Sequence, residues 1–300
     1  MTVQRGSTII ITPLVLYALL FISHAYAGPK RDWSVSPLIG VHRPSITHVN
    51  HGLFQAPFAG TSELLTATGA SSSNLMVFQN PLQPFNPGPY AGLEFSWRLD
   101  DKLSWIGGFA SWQASSSGIT SGVVPFQRNL THVIFQRTAT FSYNEVFIGL
   151  RRDIFRSTNK YRLYGRFSLN TLIDIDLREN MLFHFKIDEG DRVSRSIIVE
   201  SQTTAALLAE PGLGAEMYIG ERFSLAIEGS YTQSMRKTYF RYATRNEDFK
   251  DSDGYGVFRT PSTRSDNGTM EYLDANGVDY RPMPLEFNGW KLLIRISMFY

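Results

Sequence analysis

Residues 290–300, at the end of the given sequence, read WKLLIRISMFY. Apolar side chains occupy every second position, namely Trp290, Leu292, Ile294, Ile296, Met298 and Tyr300. A period of two residues is typical of a β-strand. A wholly apolar face is stable only beside other apolar groups, so this strand must lie against either a protein core or lipid.

The same period recurs in seven earlier segments, whereas helical periodicity is nearly absent. The predicted strands cover about 33–42, 90–99, 103–112, 138–152, 161–174, 208–219 and 223–231. In the fourth of these, Phe141 and Tyr143 have the opposite parity from the other apolar residues. That mismatch predicts a β-bulge or a change of environment within the strand.

The connections between the eight predicted strands alternate in length. Short connections fall at about 100–102, 153–159 and 220–222, and long ones at about 46–88, 115–137, 177–200 and 241–284. Tight turns at one end and long loops at the other are typical of barrels in bacterial outer membranes. The sequence therefore predicts an all-β fold: a transmembrane antiparallel up-and-down β-barrel of eight strands, with long extracellular loops and both termini periplasmic.

The N-terminal segment has the pattern of a secretory signal peptide. Arg5 precedes an apolar stretch over residues 7–23, and Ala25-Tyr26-Ala27 forms a small-x-small cleavage site. The apolar stretch contains Pro13 and is shorter than the roughly 20 residues of a spanning helix. We predict a signal peptide over 1–27, cleaved near Ala27, and a barrel domain over 28–300.

Composition excludes several classes of function. The chain has no cysteine, which removes disulfide scaffolds and thiolate metal sites. Its 29 basic and 27 acidic residues are nearly balanced, and no basic-aromatic patch marks a nucleic-acid surface. We expect no nucleic-acid partner, no cofactor and no metal.

The second face of the strands carries charges of both signs. These are Glu94, Arg98, Arg162, Arg166, Asp174, Glu210, Glu216, Glu228, Lys291 and Arg295. An eight-stranded barrel has an interior that side chains just fill, and buried charges must pair. We therefore predict a network of ion pairs in the lumen. A secreted soluble β-sandwich, with its apolar face inward, is the alternative that alternation alone does not exclude.

The end of the chain resembles the C-terminal assembly signal of bacterial outer-membrane barrels, from Trp290 to the terminal aromatic Tyr300. In strand number and loop layout the chain is similar to the small OmpA/OmpX-type barrels, although its first and fourth loops are longer. That resemblance implies three partners: the barrel assembly machinery during biogenesis, outer-membrane lipid and lipopolysaccharide, and an unidentified partner at the surface. No family-specific motif transfers a function.

The candidates for chemistry are weak, and we predict no catalytic residue. The five histidines of the barrel domain are His42, His48, His51, His132 and His184, and none has a serine in a His-x-Ser arrangement. His48 and His51 lack a third metal ligand, and the acidic cluster at 247–253 lacks the later glutamate of an EF-hand. We expect a structural or surface-interaction role. A porin-like channel and a lipid A-modifying enzyme are the alternatives.

Overall fold

A computed structural model describes most of the predicted barrel domain. The described residues are 32–46, 49, 82–126, 129–157, 161–186, 192–219, 222–240, 242–247, 262–264, 270–273, 280–282 and 284–300. The predicted signal peptide, His48, His51 and most of the acidic cluster lie outside them. Within these ranges, no helix is long and apolar enough to cross a membrane.

The described chain consists almost entirely of strands. In chain order they are β1 (Trp33–Pro44), β2 (Gly88–Arg98), β3 (Leu103–Phe126), β4 (Asn129–Ser157), β5 (Tyr161–Lys186), β6 (Arg192–Ile219), β7 (Phe223–Ser234), β8 (Thr238–Tyr239), β9 (Tyr242–Glu247), β10 (Ser262–Arg264), β11 (Met270–Leu273), β12 (Tyr280–Pro282), β13 (Pro284–Leu285) and β14 (Gly289–Phe299).

Eight of these strands close into a ring. Strands β1 to β7 pair antiparallel with their neighbours in sequence, and β14 pairs with both β7 and β1. The predicted up-and-down barrel of eight antiparallel strands is therefore confirmed. We call the end with the short turns the lower end, and the end with the long connections the upper end.

Four strands are much longer than predicted. The segments 115–137 and 177–200, predicted as loops, are instead the upper halves of two hairpins. Strands β3 and β4 stay paired up to Phe126 and Asn129, and β5 and β6 up to Lys186 and Arg192. The loop prediction was wrong because serine, threonine and charged residues on the outer face weaken the apolar contrast that marks the lower halves.

The fourth long connection contains short strands of its own. Strand β9 pairs with the upper half of β6, β8 pairs with β13, and β10 to β12 form a separate small sheet. The lower half of β6 pairs with β7 from Ile219↔Phe223 upward. None of the short strands in the described part of the chain enters the ring, so they do not widen the barrel.

The lower half of the barrel is apolar outside and polar inside. On β14, Trp290, Leu292, Ile294 and Ile296 are each 50–67% exposed, although their side chains are large and apolar. Comparable residues of the other strands form the rest of this apolar belt: Ile39, Val146, Ile148, Leu163, Phe167, Leu213, Met217 and Ile227. A continuous belt of this kind is the lipid-facing band of a membrane barrel.

Above the belt the polarity is reversed. The outward residues are polar and exposed, among them Gln113, Ser115, Ser117, Asn144, Arg178, Asn180 and Gln202. The inward residues are apolar and buried, among them Phe135, Phe141, Leu177, Met181, Phe183 and Val199. This is the arrangement of an antiparallel sheet whose outer face is solvated and whose inner face packs on an apolar core.

A β-bulge lies at the height where the polarity reverses. The pairing of β4 with β5 shifts register between Ser142 and Asn144, and Asp174 on β5 has a φ of 51°. Below this point Leu172 is buried, and above it Ile175 and Leu177 are buried, so β5 has exchanged its inward parity. The change of environment predicted around Phe141 and Tyr143 is confirmed, whereas the extra residue of the bulge lies on β5 and β4 keeps its inward parity.

Candidate functional site

Arg295 lies at the centre of the charged lower interior. Its Nη1 is 3.0 Å from Oε1 of Glu94 and 3.5 Å from Oε2 of Glu228, and its Nη2 is 3.1 Å from Oε2 of Glu216. The arginine comes from β14 and the three glutamates from β2, β6 and β7. In the ring, β7 is the direct neighbour of β14, whereas β2 and β6 each lie two strands away. The contacts of Arg295 therefore join adjacent strands at Glu228 and span an intervening strand at Glu94 and Glu216.

Further arginines complete this lower cluster. Arg166 donates to Glu228 at 2.5 Å and to Glu94 at 3.4 Å. Arg162 donates to Glu216 at 2.7 and 2.9 Å through two of its nitrogens, and to Asp153 at 3.0 Å through the third. Arg151 also donates to Glu94. The Tyr164 ring lies 4.9–5.6 Å from three of these guanidinium groups, a favourable cation–π distance.

A second cluster, centred on Lys291, lies directly above. Its Nζ is 2.8 Å from both carboxylate oxygens of Glu145 and 2.7 Å from Oε2 of Glu210. The side-chain amide of Asn170 donates to the same two carboxylates at 2.5 and 2.6 Å. Tyr90 donates its hydroxyl to Glu145 at 3.1 Å and places its ring 4.6 Å from Nζ.

The two clusters fill the lower lumen with opposite charges. Within the described lumen, five cations face six anions: Arg151, Arg162, Arg166, Lys291 and Arg295 against Glu94, Glu145, Asp153, Glu210, Glu216 and Glu228. The side chains are at most 9% exposed. Buried charges are tolerated only in such paired arrangements.

The structure brings together most of the residues predicted for the lumen, but not all. Glu94, Arg162, Arg166, Glu210, Glu216, Glu228, Lys291 and Arg295 are buried there. Asp174 is exposed, because the bulge turns it outward, so its predicted lumen position is wrong. Arg98 is half-exposed at the lower end of β2 and joins none of the ion pairs described above.

Three charged residues of β4 were not predicted in the lumen. Glu145, Arg151 and Asp153 are buried and belong to the two clusters. Their parity opposite Val146 and Ile148 was a usable signal. It was obscured because Phe141 and Tyr143 share that parity, and the inward face of β4 therefore looked inconsistent. The upper pair Arg137–Glu179, 2.7 Å apart and buried, was also missed because both residues lie in a predicted loop.

Above Lys291 the lumen is closed by His42 and a layer of aromatic rings. His42 is fully buried, its Nδ1 bonds to the hydroxyl of Tyr143, and its Nε2 lies 3.2 Å from Oγ1 of Thr232. Trp112 donates its indole N–H to the carbonyl oxygen of His42 at 3.0 Å and stacks on Tyr143 at 5.1 Å. His42 therefore belongs to the packing of the interior and is closed to solvent.

Phe141 is the centre of an aromatic plug over this layer. Its ring lies 5.8–6.2 Å from the rings of Trp112, Phe85, Phe287 and Phe240. Phe85 comes from the first long connection, and Phe240 and Phe287 from the fourth. The sequence left open whether the first connection caps the barrel. Of its described residues, Ile46, Val49, Leu82 and Phe85 are buried in the same apolar cluster as Phe141.

The two histidines of the upper hairpins lie far from this interior. His184 on β5 is opposite Ser194 on β6, with 2.8 Å between Nδ1 and Oγ, and the histidine is half-buried while the serine is exposed. His132 is exposed on the neighbouring strand β4. A serine beside a histidine is the first requirement of a nucleophilic site. No described carboxylate contacts His184 to orient it, and no metal-binding cluster is present among the described residues.

The predicted C-terminal assembly signal lies on the outer surface. Trp290, Leu292, Ile294, Ile296 and Met298 are exposed on β14. The half-buried Tyr300 stacks on Trp33 of β1, with 4.6 Å between the ring centroids. The role of this stretch in assembly stays a prediction.

Three solved structures align with this chain in backbone fold at low similarity. The outer membrane protease OmpT from Escherichia coli is 9% identical to it, with a TM-score of 0.34, and the alignment covers 93% of this chain and 100% of OmpT. CarO from Acinetobacter baumannii is 12% identical with a TM-score of 0.30, covering 73% and 96%. A FadL homologue from Pseudomonas aeruginosa is 9% identical with a TM-score of 0.20, covering 89% of each.

No family model matches the chain, and no curated protein matches it in sequence. Identities and TM-scores this low assign neither a family nor an activity. The fold rests on the strand pairing itself, and the function has to be argued from the interior and the surface of this barrel.

Proposed function

We propose that the chain is an outer-membrane barrel with a closed lumen and a structural or surface-interaction role. The observation that carries this proposal is the continuous filling of the interior. Ion pairs occupy the lower half, and His42 with the aromatic plug occupies the level above. The apolar belt supports a membrane location, and the predicted signal peptide supports export to the outer membrane.

The role is assigned to the part above the belt. The upper hairpins rise beyond the lower barrel, carry polar residues outward and enclose an apolar core of their own. A hairpin pair with such a core keeps a fixed shape, and pre-organised surfaces of this kind bind partners with little change of backbone. We infer that these upper hairpins face the outside of the cell and contact an unidentified surface partner.

Conductance across planar bilayers tests the closed lumen against the porin-like alternative. The refolded chain without its signal peptide is expected to insert without steady current steps. As a matched comparison, the Lys291→Ala and Arg295→Ala variants should also stay closed, because the aromatic plug remains above the clusters. Stable current steps of uniform size in the wild type would overturn the proposal.

Mass spectrometry of lipid A tests the enzyme alternative. Cells that express the chain are expected to show the same acyl pattern as cells without it, since His42 is buried and His184 has no orienting group among the described residues. A changed pattern that disappears in His184→Ala or Ser194→Ala would contradict the proposal. The same change surviving in both variants but lost in His42→Ala or His132→Ala would contradict it too.

A further inference from the structure

We propose that a row of three side chains on the outer face binds the phosphorylated headgroup of a membrane lipid. The row consists of Arg43, Trp290 and Tyr231. Arg43 is opposite Trp290 in the pairing of β1 with β14, and Trp290 is opposite Tyr231 in the pairing of β14 with β7. Paired residues point to the same face, so the three side chains stand side by side.

The height of the row matches the level of lipid headgroups. One pleat repeat lower, roughly 7 Å along the strands, lie Val41 and Leu292, which are 45% and 56% exposed. The next repeat brings Ile39 and Ile294, which are 66% and 50% exposed. The row is therefore the top level of the apolar belt on these strands, where Arg43 stands in place of an apolar side chain. Tryptophan and tyrosine favour such an interface, with the ring in the apolar region and the N–H or O–H in water.

Arg43 supplies the charge that a phosphate needs. Its side chain is exposed on the outward face, and no carboxylate in the described part of the chain forms an ion pair with it. A guanidinium group donates two parallel hydrogen bonds to a phosphate, which makes arginine well suited to this ligand. Beside it, Trp290 is 67% exposed and makes edge contact with Tyr231, 4.9 Å between centroids.

A depression of about 850 Å³ lies over the row and is open to the outside. The segment 83–87 also lines it and contributes the exposed residues Gln83 and Asn86. Their side-chain amides are positioned to bond the polar part of a headgroup, while Arg43 takes the phosphate. The volume suits a bulky, polar headgroup.

Directly below Tyr231, a notch in the belt leaves room for an acyl chain. Gly229 faces outward here, and a Cβ built on it would meet nothing within 4 Å. The notch lies between Leu292 of β14 and Leu213 of β6, which are paired with Gly229 on either side and are 56% and 65% exposed. Headgroup contacts above and an acyl groove below together define a lipid rather than a free anion.

The inference rests on the proposed membrane location, and native mass spectrometry in detergent micelles tests it. The probes are diphosphoryl lipid A, the same lipid with both phosphates removed, and inorganic phosphate. The wild type is expected to retain the diphosphoryl lipid about tenfold more tightly than the dephosphorylated one, as one charge-assisted contact implies. Inorganic phosphate should not displace the lipid at equal phosphate concentration.

Two variants separate the headgroup contacts from the acyl groove. Arg43→Gln should lose the tenfold preference, whereas Arg222→Gln, which removes the same charge from the exposed lower end, should keep it. Gly229→Leu should weaken the binding of both lipids to a similar extent, because the leucine side chain fills the notch. All variants should keep the heat-modifiable mobility of a folded barrel in cold detergent gels.

Three results would overturn the inference: equal retention of the two lipids by the wild type, an unchanged preference in Arg43→Gln, or an equal loss in Arg222→Gln. The first result needs no variant, so a misfolded mutant does not leave the question open. If instead the proposed membrane location were wrong, the wild-type protein would stay monomeric in solution without detergent. That result is distinguishable from a failure of the lipid site alone.

Discussion

Asn144 donates its side-chain amide to Oδ2 of Asp174 at 3.1 Å, and this bond marks the height at which the barrel reverses its polarity. Below it, apolar residues face outward and charges are buried. Above it, polar residues face outward and the core is apolar. The reversal requires β5 to change its inward parity while β4 keeps its own, and the extra residue of the bulge makes that change.

Asp174 is held in a backbone conformation that few side chains accept, since its φ is 51°. Aspartate and asparagine tolerate this left-handed region better than β-branched residues do. We expect Asp174→Val to lower the free energy of unfolding by about 1–2 kcal/mol, and Asp174→Asn to be near neutral. Urea unfolding in lipid vesicles, followed by tryptophan fluorescence, measures both. Equal effects of the two variants would contradict the bulge as the cause.

Lys291 is the cation that Glu145 and Glu210 share. Lys291→Met should destabilise the barrel by about 3–5 kcal/mol, because it leaves buried carboxylates without their partner. Adding Glu145→Gln should recover part of that loss, since it removes one of the two uncompensated charges. The same unfolding measurement applies. A double variant as unstable as the sum of its single variants would show that the residues do not interact.

Ile294 lies in the middle of the apolar belt, whereas Ser117 lies on the polar outer face above it. Ile294→Arg should cost about 2–4 kcal/mol of stability in a bilayer, because its charge enters the hydrocarbon. Ser117→Arg should be close to neutral, because its charge remains in water. The comparison tests the position of the membrane directly. Equal losses of stability in the two variants would show that Ile294 does not face the hydrocarbon of the membrane.

Asp100 connects β2 to β3 through a tight turn. The backbone N–H groups of Lys102 and Leu103 both donate to its Oδ1 at 2.7 Å, and they lower the pKa of this carboxyl. A lowered pKa in the folded state stabilises the protein above the ordinary pKa of aspartate, and this contribution is lost as the pH falls through the folded pKa.

We therefore expect wild type to be more stable than Asp100→Asn at neutral pH, with a difference that vanishes in strong acid. Asparagine keeps the acceptor oxygen but not the charge, so it isolates the ionised form. Urea midpoints of both proteins across an acid titration measure the difference. A difference independent of pH would mean that the charge of Asp100 has no part in the turn.

Much of the fold follows from local pattern in the sequence. The alternation in residues 290–300 and in seven earlier segments, together with the alternation of short and long connections, predicted eight strands, their antiparallel order and the apolar belt. These features depend on which residues are neighbours along one strand, and a period of two displays that information directly. The buried positions of Glu94, Lys291 and Arg295 follow from the same parity.

Only the tertiary structure decided what lies above the belt and which charges pair. The hairpin extensions were mistaken for loops because polar residues on their outer face weaken the apolar contrast along each strand. The aromatic plug was not predicted because Phe85, Phe141 and Phe287 meet only after the ring has closed. Glu145 was missed because the apolar Phe141 and Tyr143 share its inward parity. Asp174 was misplaced because a single-residue bulge reverses the inward parity of β5 while β4 keeps its own. Such a shift is a property of the pairing between strands, and one strand's pattern does not contain it.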